Sequence, residues 1–360
     1  MEELAHFANA PARRAEFPWL SGMNVEVSAR VAAELCAGTH NILHLSVRDR
    51  HWWTFLKESW QEKRDYDVSF TIFGPEYSLR RAKYRIVGFA DVTSIYPRPK
   101  GVRKPTIGRR ARQWLRGIVS RYLHKKPDLL IVETDEIKNQ LMLAIGRRPE
   151  TVRVVSNTLH GVFSKPEQWR PLSRVPERAH HDDSLICYVT RGYPHKNLDF
   201  LGEVGAILTS RGVGVRFVVT LTDSEWRGLS DRSRENLQNI GPVSSNQLPA
   251  LYLSCDASIF PSLLEAFSIM PVETMFMERL LFASNRKFVR AVCRDAPIYI
   301  DPTDAAATAD VIVRTLSQAG LVSAHVERGR KVALALPSSS DRARAYLHCI
   351  DSACPRESKA

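Results

Sequence analysis

The chain has 360 residues, 44% of them hydrophobic and 25% charged, a balance that excludes a wholly disordered, collagen-like or coiled-coil protein. One hydrophobic core usually stops growing near ~250–300 residues, so two domains are expected. The formal net charge is +12. No apolar run approaches the ~20 residues of a spanning helix, and the start, MEELAHFANAPARRAE, lacks the apolar stretch of a secretory signal, so neither a membrane span nor export by a signal peptide is expected.

In chain order, helical stretches alternate with short β-branched runs, the pattern of βα units and parallel sheets. VEVSARVAAELC reads as a helix, NILHLSV as a strand, HWWTFLKESWQEK as a helix, and DVSFTIF and DLLIVE as strands. DEIKNQLMLAIG follows as a helix with Thr134 or Asp135 at its N-cap, and VRVVS closes the block. The run from Ser164 to Asp183 carries Pro166, Pro171 and Pro176 without an apolar period and reads as an interdomain connection. A second block opens with LICYVT as a strand, LDFLGEVGAILTSRG as a helix ended by Gly212, and VRFVVTL as a strand. It continues with SNQLPALYLSC as a helix, ASIF as a strand, a helix near 268–278, LLFAS as a strand, helices over most of 303–335, and a final helix capped at Ser340 or Asp341. The expected division is a first domain over 1–163, a linker over 164–183, a second domain over 184–340, and a helix and tail over 341–360 that pack back on the first domain.

Six cysteines, Cys36, Cys187, Cys255, Cys293, Cys349 and Cys354, show no CxxC and no paired Cys/His spacing. They read as free thiols of a reducing compartment, with no metal site. Cys187 and Cys255 stand among strand-like apolar neighbours, where cysteine acts as a small hydrophobe.

Two doubly wound domains leave a cleft at the carboxyl ends of their sheets, where such folds take ligands. No Walker loop, GxGxxG, HExxH, GxSxG or EF-hand pattern occurs. Two other features mark the second block. TRGYPHKNLDF sets Arg191 and Lys196 five residues apart in the loop after its first strand. Guanidinium, ammonium and the orphan amides of a helix start would together cradle a diphosphate, although such a pair also fits a solvated turn. PSLLEAFSIMPVETM follows the strand ASIF and holds Glu265 and Glu273 with seven residues between them. If the helix begins near Ser268, Glu273 lies inside it and Glu265 in the loop before it. A glutamate so placed accepts hydrogen bonds from vicinal hydroxyls; the plain alternative is a solvated helix face and a loop acid.

Taken together, TRGYPHKN and EAFSIMPVE, with CDASIFPS ahead of the latter and VCRDAPIYIDP behind it, resemble the group-one (family four) glycosyltransferases of the GT-B fold. The likeness is greatest to those that build bacterial surface polysaccharides, and it extends more weakly through DVSFTIFGPEY, YRIVGFADVTSIYP and LLIVETDEIKNQL. The resemblance implies an α/β protein with two Rossmann-like doubly wound domains facing across a cleft. It implies a hexosyltransferase-type activity, moving sugar from a nucleoside-diphosphate sugar to a hydroxyl of a glycan or lipid-linked acceptor in surface polysaccharide or lipopolysaccharide assembly. Retention at the anomeric carbon, and no metal or other cofactor, are implied with it. Arg191 and Lys196 would then hold the donor diphosphate and Glu273 the ribose hydroxyls. Glu265 would stand as catalytic residue beside the donor sugar, and the backbone amides of Phe267, Ser268 and Ile269 would face sugar and phosphates.

The chain departs from the family where Ala266 and Ser268 replace glycines of the usual EGFGLP and Pro271 comes one position late. Gly22 is the single glycine where the family carries a pair against the donor phosphate. Residues 1–20 do not read as a strand, so a degenerate first strand or a truncated start is expected. A second reading keeps the fold and drops the chemistry: a catalytically weakened sugar-nucleotide-binding or interaction scaffold. No acceptor-side base stands out; His40, His44 and His51 qualify by residue type alone.

Charge is concentrated in one segment. Between Asp91 and Asp128 there are eleven lysines and arginines and no acidic residue. Within it, Ile107, Ala111, Trp114, Leu115, Ile118, Val119, Tyr122 and Leu123 fall at helical spacing, with Arg109, Arg110, Arg112 and Arg116 on the other faces. That period suits a helix lying on an anionic membrane, as part of a membrane or acceptor surface, and equally a core helix with a charged outer side. Nucleic acid would also answer the charge by counterion release, but no nucleic-acid motif accompanies it. The expected partners are a nucleotide-sugar donor, a glycan or lipid-linked acceptor and an anionic membrane surface, with a cytoplasmic location, peripheral on the inner face of the plasma membrane.

Overall fold

The computed structural model describes residues 16–27, 44–47, 66–74, 82–96 and 107–354. Strands β1 (Asn24–Val27) and β2 (His44–Val47) pair in parallel, Asn24 opposite His44. This corrects two expectations. VEVSARVAAELC does not begin as a helix, because Asn24–Val27 alternates with period two and finds a strand partner. A strand does open the first block, but it follows Gly22 and so was missed within residues 1–20. The readings on residues 28–43 and on HWWTFLKESWQEK, with His40, His51 and Cys36, lie outside the described residues.

Strands β3 (Tyr66–Thr71), β4 (Ala82–Gly88), β5 (Leu129–Val132) and β6 (Val152–Val154) form a second parallel sheet in that order. Helix α1 (Ile107–His124) leads into β5, and α2 (Asp135–Ile145) connects β5 to β6. Thr134 caps α2, its Oγ1 accepting from the Ile137 amide at 3.2 Å, and Asp135 and Glu136 complement the positive helix end. The four-residue spacing of Ile137, Leu141 and Ile145 turns one face inward onto Val87, Leu130 and Val132, and each such burial contributes about 1.5–3 kcal/mol.

The segment from Pro166 to Asp183 holds one short 3-10 helix, Pro166–Gln168, and a turn at 181–182, with no strand or α-helix. Beyond it come β7 (Ser184–Tyr188), α3 (Leu198–Ser210), β8 (Val215–Val219), α4 (Asp223–Arg227), α5 (Asp231–Asn236), β9 (Leu237–Asn239), α6 (Leu248–Ser254) and β10 (Ala257–Phe260). They are followed by α7 (Met270–Phe276), β11 (Leu280–Ser284), α8 (Lys287–Cys293), β12 (Ile298–Ile300), α9 (Ala305–Leu316), α10 (Ala319–Leu334) and α11 (Ser339–Asp351). Gly212, at φ 69°, turns the chain out of α3 in a conformation other residues resist. The six strands form one parallel sheet in the order β12-β11-β10-β7-β8-β9. β7, β10 and β11 are buried along nearly their whole length, which explains their unbroken apolar sequences.

The cap of α11 is Ser338, not Ser340 or Asp341. Ser338 Oγ accepts from the Asp341 amide while the Asp341 carboxylate accepts from the Ser338 amide, a reciprocal box. Tyr346, Cys349 and Ile350 of α11 pack on Ile86, Leu129 and Ile131 of the first domain. Across the same divide α8 rests against α2. Cys187, Cys255, Cys293 and Cys349 are buried as free thiols, and Cys354 is half-buried.

Candidate active site

The strand order of the six-stranded sheet changes its direction of winding between β7 and β10, and a doubly wound sheet takes its ligand outside the carboxyl ends at such a switch point. The loop after β7 carries Arg191, His195 and Lys196; the loop after β10 carries Ser262, Glu265 and Phe267. Asn197 holds the first loop in shape. It adopts φ 63°, and its side-chain amide donates to Pro302 O at 2.8 Å and Pro261 O at 3.3 Å. The Leu263 amide donates to His195 O at 2.9 Å, joining the two loops directly.

Lys196 Nζ lies 2.5 Å from Glu265 Oε1, and both side chains are largely buried. The same glutamate oxygen accepts from Ser262 Oγ at 3.0 Å, and Ser262 in turn meets the buried Tyr188 hydroxyl at 2.8 Å. His195 completes the group with Nε2 3.8 Å from Glu265 and its ring stacked on Tyr193. Burial holds the His195 pKa below 6.5, against the pull of Glu265, so the imidazole is mostly neutral at neutral pH.

Arg191 does not join this group. Its Nε donates to Glu225 Oε1 at 2.9 Å, leaving the other guanidinium nitrogens without a partner among the described residues. The Gly192 amide donates to the same oxygen at 3.0 Å. A Cβ on Gly192 would come within 2.9 Å of the Glu225 side chain, so glycine is what lets the two loops meet. Although partial burial opposes it, the Thr222 and Gly192 amides and the Arg191 guanidinium hold the Glu225 carboxyl down at about 2. Glu225 is therefore a permanent anion that aims Arg191. If Arg191 holds a nucleotide-sugar diphosphate, as the family resemblance implies, Glu225→Ala is expected to raise the KM for that donor about tenfold with little change in kcat, since it would loosen a binding group and remove none; steady-state kinetics on variant and wild type would check it.

Glu273 is also apart from Glu265. It is buried inside α7, and Oε2 accepts from the Tyr252 hydroxyl at 2.7 Å. The helix begins at Met270 rather than near Ser268, with the Glu273 amide bonded to Ile269 O. The solvated-face alternative for this residue is thereby excluded. Burial raises its pKa to about 7 despite the Tyr252 hydrogen bond.

Glu265, His195 and Phe267 line one wall of a cavity of about 390 Å³ whose opposite wall is Asp91, Thr93, Glu133 and Asn157 of the first domain. Glu133 is paired with Arg342 Nη2 of α11 at 3.1 Å, and burial raises its pKa against that pairing. The amides of Phe267, Ser268 and Ile269 sit half-buried in the stretch before α7 and bond to no acceptor among the described residues. A larger hollow of about 650 Å³ lies at the opposite, amino edge of the six-stranded sheet, near Asp183 and Gly214. The switch-point argument favours the cleft, which alone combines an ion pair with residues of both domains.

Gly22 ends the short turn before β1 and so stands at the amino end of that strand, on the wrong edge of the sheet for the donor-binding place expected of it. His44 opens β2. Arg110, Arg112, Trp114 and Arg116 are exposed on α1, and Arg109 lies on the same helix; of these, none with a described side chain lines the cleft. Sequence reasoning missed His195, Tyr188, Ser262, Glu225 and Tyr252. His195 and Tyr188 flank residues it did single out, whereas Glu225 and Tyr252 meet their partners only through the fold.

Residues 170–332 match the family described as Glycosyl transferases group 1. No curated protein matches the chain. Among solved structures, HepE from Anabaena in complex with UDP and glucose is 13% identical, covering 98% of this chain and 96% of that one with a TM-score of 0.67. A glycosyltransferase from Rickettsia africae is 15% identical over 98% of this chain and 94% of that one, at a TM-score of 0.64. Sucrose-phosphate synthase from Thermosynechococcus elongatus is 16% identical over 74% and 67%, at 0.57. These likenesses are of fold, two doubly wound domains facing across a cleft, and the matched segment contains Arg191, Lys196, Glu265 and Glu273. Residues 170–332 thus resemble a group 1 glycosyl transferase domain, and the chain as a whole has the GT-B fold.

Proposed function

We propose that the protein moves a sugar from a nucleoside-diphosphate sugar to a hydroxyl of a glycan or lipid-linked acceptor, with retention at the anomeric carbon and without a metal. Its place would be the assembly of bacterial surface polysaccharide, lipopolysaccharide included, at the cytoplasmic face of the plasma membrane. The observation that carries the reading is the Lys196–Glu265 pair, largely buried at the switch point and open to a cleft between the domains.

In this reading the sugar reacts through an oxocarbenium-like transition state while charge builds on the departing diphosphate. Arg191 and Lys196 supply fixed positive charge where that anion develops, which is preorganised stabilisation in a site with little water. The diphosphate draws Lys196 away from Glu265, whose carboxylate is then free beside the sugar ring. The half-buried amides of Phe267, Ser268 and Ile269 offer further donors to sugar or phosphate oxygens. Among the described residues no helix is long and apolar enough to cross a membrane, so a lipid-linked acceptor would be met at the surface of the bilayer.

Calorimetric titration with UDP and with GDP is the test. One nucleotide is expected to bind with micromolar Kd, and the double variant Arg191→Ala, Lys196→Ala to weaken it by about a hundredfold or more, each lost charge-assisted contact contributing about 1.5–3 kcal/mol. Absence of binding by either nucleotide to the wild type would sink the site. Binding without release of nucleotide from any nucleotide sugar would instead favour the scaffold.

A further inference from the structure

Among the described residues, helix α1 is tied to the first domain along one edge only. Ser120 and His124 are buried, Ser120 Oγ donates to Asp91 Oδ2 at 2.6 Å, and Arg121 donates to Ser94 O at 3.1 Å. None of the described residues covers the other edge. Trp114 is 68% exposed, Tyr122 60% and Leu115 57%, with Val119 and Ile118 open beside them. The apolar row is thus not core, which removes one of the two meanings its period allows. An apolar face of this extent, left in water, marks a surface that meets something.

Charge decides what that is. Arg110, Arg112 and Arg116 are exposed alongside the row, and exposed Lys125 and Lys126 follow its end. Lys126 Nζ lies 4.6 Å from the centre of the Tyr122 ring. No acidic residue stands between Val92 and Pro127. A second copy of the chain would set these cations against themselves. Nucleic acid would use the cations and leave Leu115, Ile118 and Val119 in water. A single helix that exposes indole, phenol and aliphatic groups in one row, edged by cations, complements a flat partner that is anionic outside and apolar beneath.

We propose that this face of α1 lies on an anionic bilayer, the apolar row at the boundary of headgroups and acyl chains and the flanking cations on lipid phosphates. The proposal deepens the reading of a lipid-linked acceptor by naming the surface that meets the lipid. It is tested with no sugar present, so its failure and that of the sugar-transfer reading are separable.

The experiment is co-sedimentation of the full chain with phosphatidylcholine vesicles that contain about 30 mol% phosphatidylglycerol or none, at low and at high salt. Binding is expected with phosphatidylglycerol at low salt, with little at high salt or on phosphatidylcholine alone. Trp114→Ala with Tyr122→Ala lowers the partition coefficient about tenfold by removing apolar area. Arg112→Glu with Arg116→Glu lowers it about thirtyfold or more, at roughly a factor of five for each charge. All four positions are exposed, so both variants keep the wild-type unfolding midpoint. No binding to phosphatidylglycerol at low salt, equal binding by wild type and both variants, or a wild-type dimer that the variants dissociate would each overturn the proposal.

Discussion

Lys196→Ala is expected to lower sugar transfer by about a hundredfold or more, and to destabilise the second domain as well. The kinetic part follows from the proposed reaction, in which Lys196 is the fixed cation beside the developing diphosphate charge. The stability part follows from geometry. Glu265 keeps its carboxylate largely buried, 2.5 Å from the ammonium, and without Lys196 only Ser262 and the mostly neutral His195 remain within reach among the described residues. Breaking such a pair from one side costs about 3 kcal/mol, because the surviving charge stays desolvated. Adding Glu265→Gln removes that charge, so the double variant is expected to recover most of the lost unfolding free energy while remaining inactive. Chemical denaturation of wild type, both single variants and the double variant measures the coupling. Additive losses would show that the two groups do not act as a pair.

This separation between stability and activity matters because both residues were visible in the sequence, and their partnership was not. LICYVT, VRFVVTL, ASIF and LLFAS mark β7, β8, β10 and β11 because strands of a covered parallel sheet are continuous apolar runs. Position relative to those strands then makes Arg191, Lys196 and Glu265 candidates. The seven-residue gap between Glu265 and Glu273 suggested two acids in one site. The fold divides them, one on the cleft against Lys196, the other inside α7 against Tyr252. Pairings of this kind depend on which loops the strand order brings together, and no local spacing records that.

Periodicity has a second limit, which the first domain exposes. VEVS alternates well enough for a strand, while the longer VEVSARVAAELC also carries a helical period, and pairing with His44–Val47 decides in favour of the strand. In α1 the period was right and its meaning was open. A repeat identifies which residues share a face and says nothing of what covers it. The short elements α4, α5, α8, β9 and β12 were not foreseen, since three to seven residues give no period to count.

Glu273→Gln is expected to make the protein more stable above neutral pH and weaker toward its nucleotide. In the folded chain burial raises the pKa of this carboxyl from 4.5 to about 7, so the native state holds a proton between those values that the unfolded chain has released. Unfolding then gives up a proton, and the contribution of Glu273 to stability falls as pH rises from about 4.5 through about 7, levelling off above. The two and a half units between the values correspond to about 3 kcal/mol. Glutamine carries no charge at any pH, and its amide oxygen can accept the Tyr252 hydroxyl in place of the carboxylate. The variant is expected to unfold about 5 °C higher than wild type at pH 8 and within about 1 °C of it at pH 5. The ribose-binding role that the family resemblance implies for Glu273 would make the opposite demand: a carboxylate accepts ribose hydroxyls better once ionised, so wild-type nucleotide affinity is expected to rise between pH 6 and pH 8. That rise disappears in the glutamine variant, whose affinity stays about tenfold lower at pH 8. Calorimetric scans and nucleotide titrations at the three pH values measure both effects. A variant equal to wild type in stability at pH 8 would refute the buried-charge account, and an unchanged affinity profile would remove Glu273 from the ribose site.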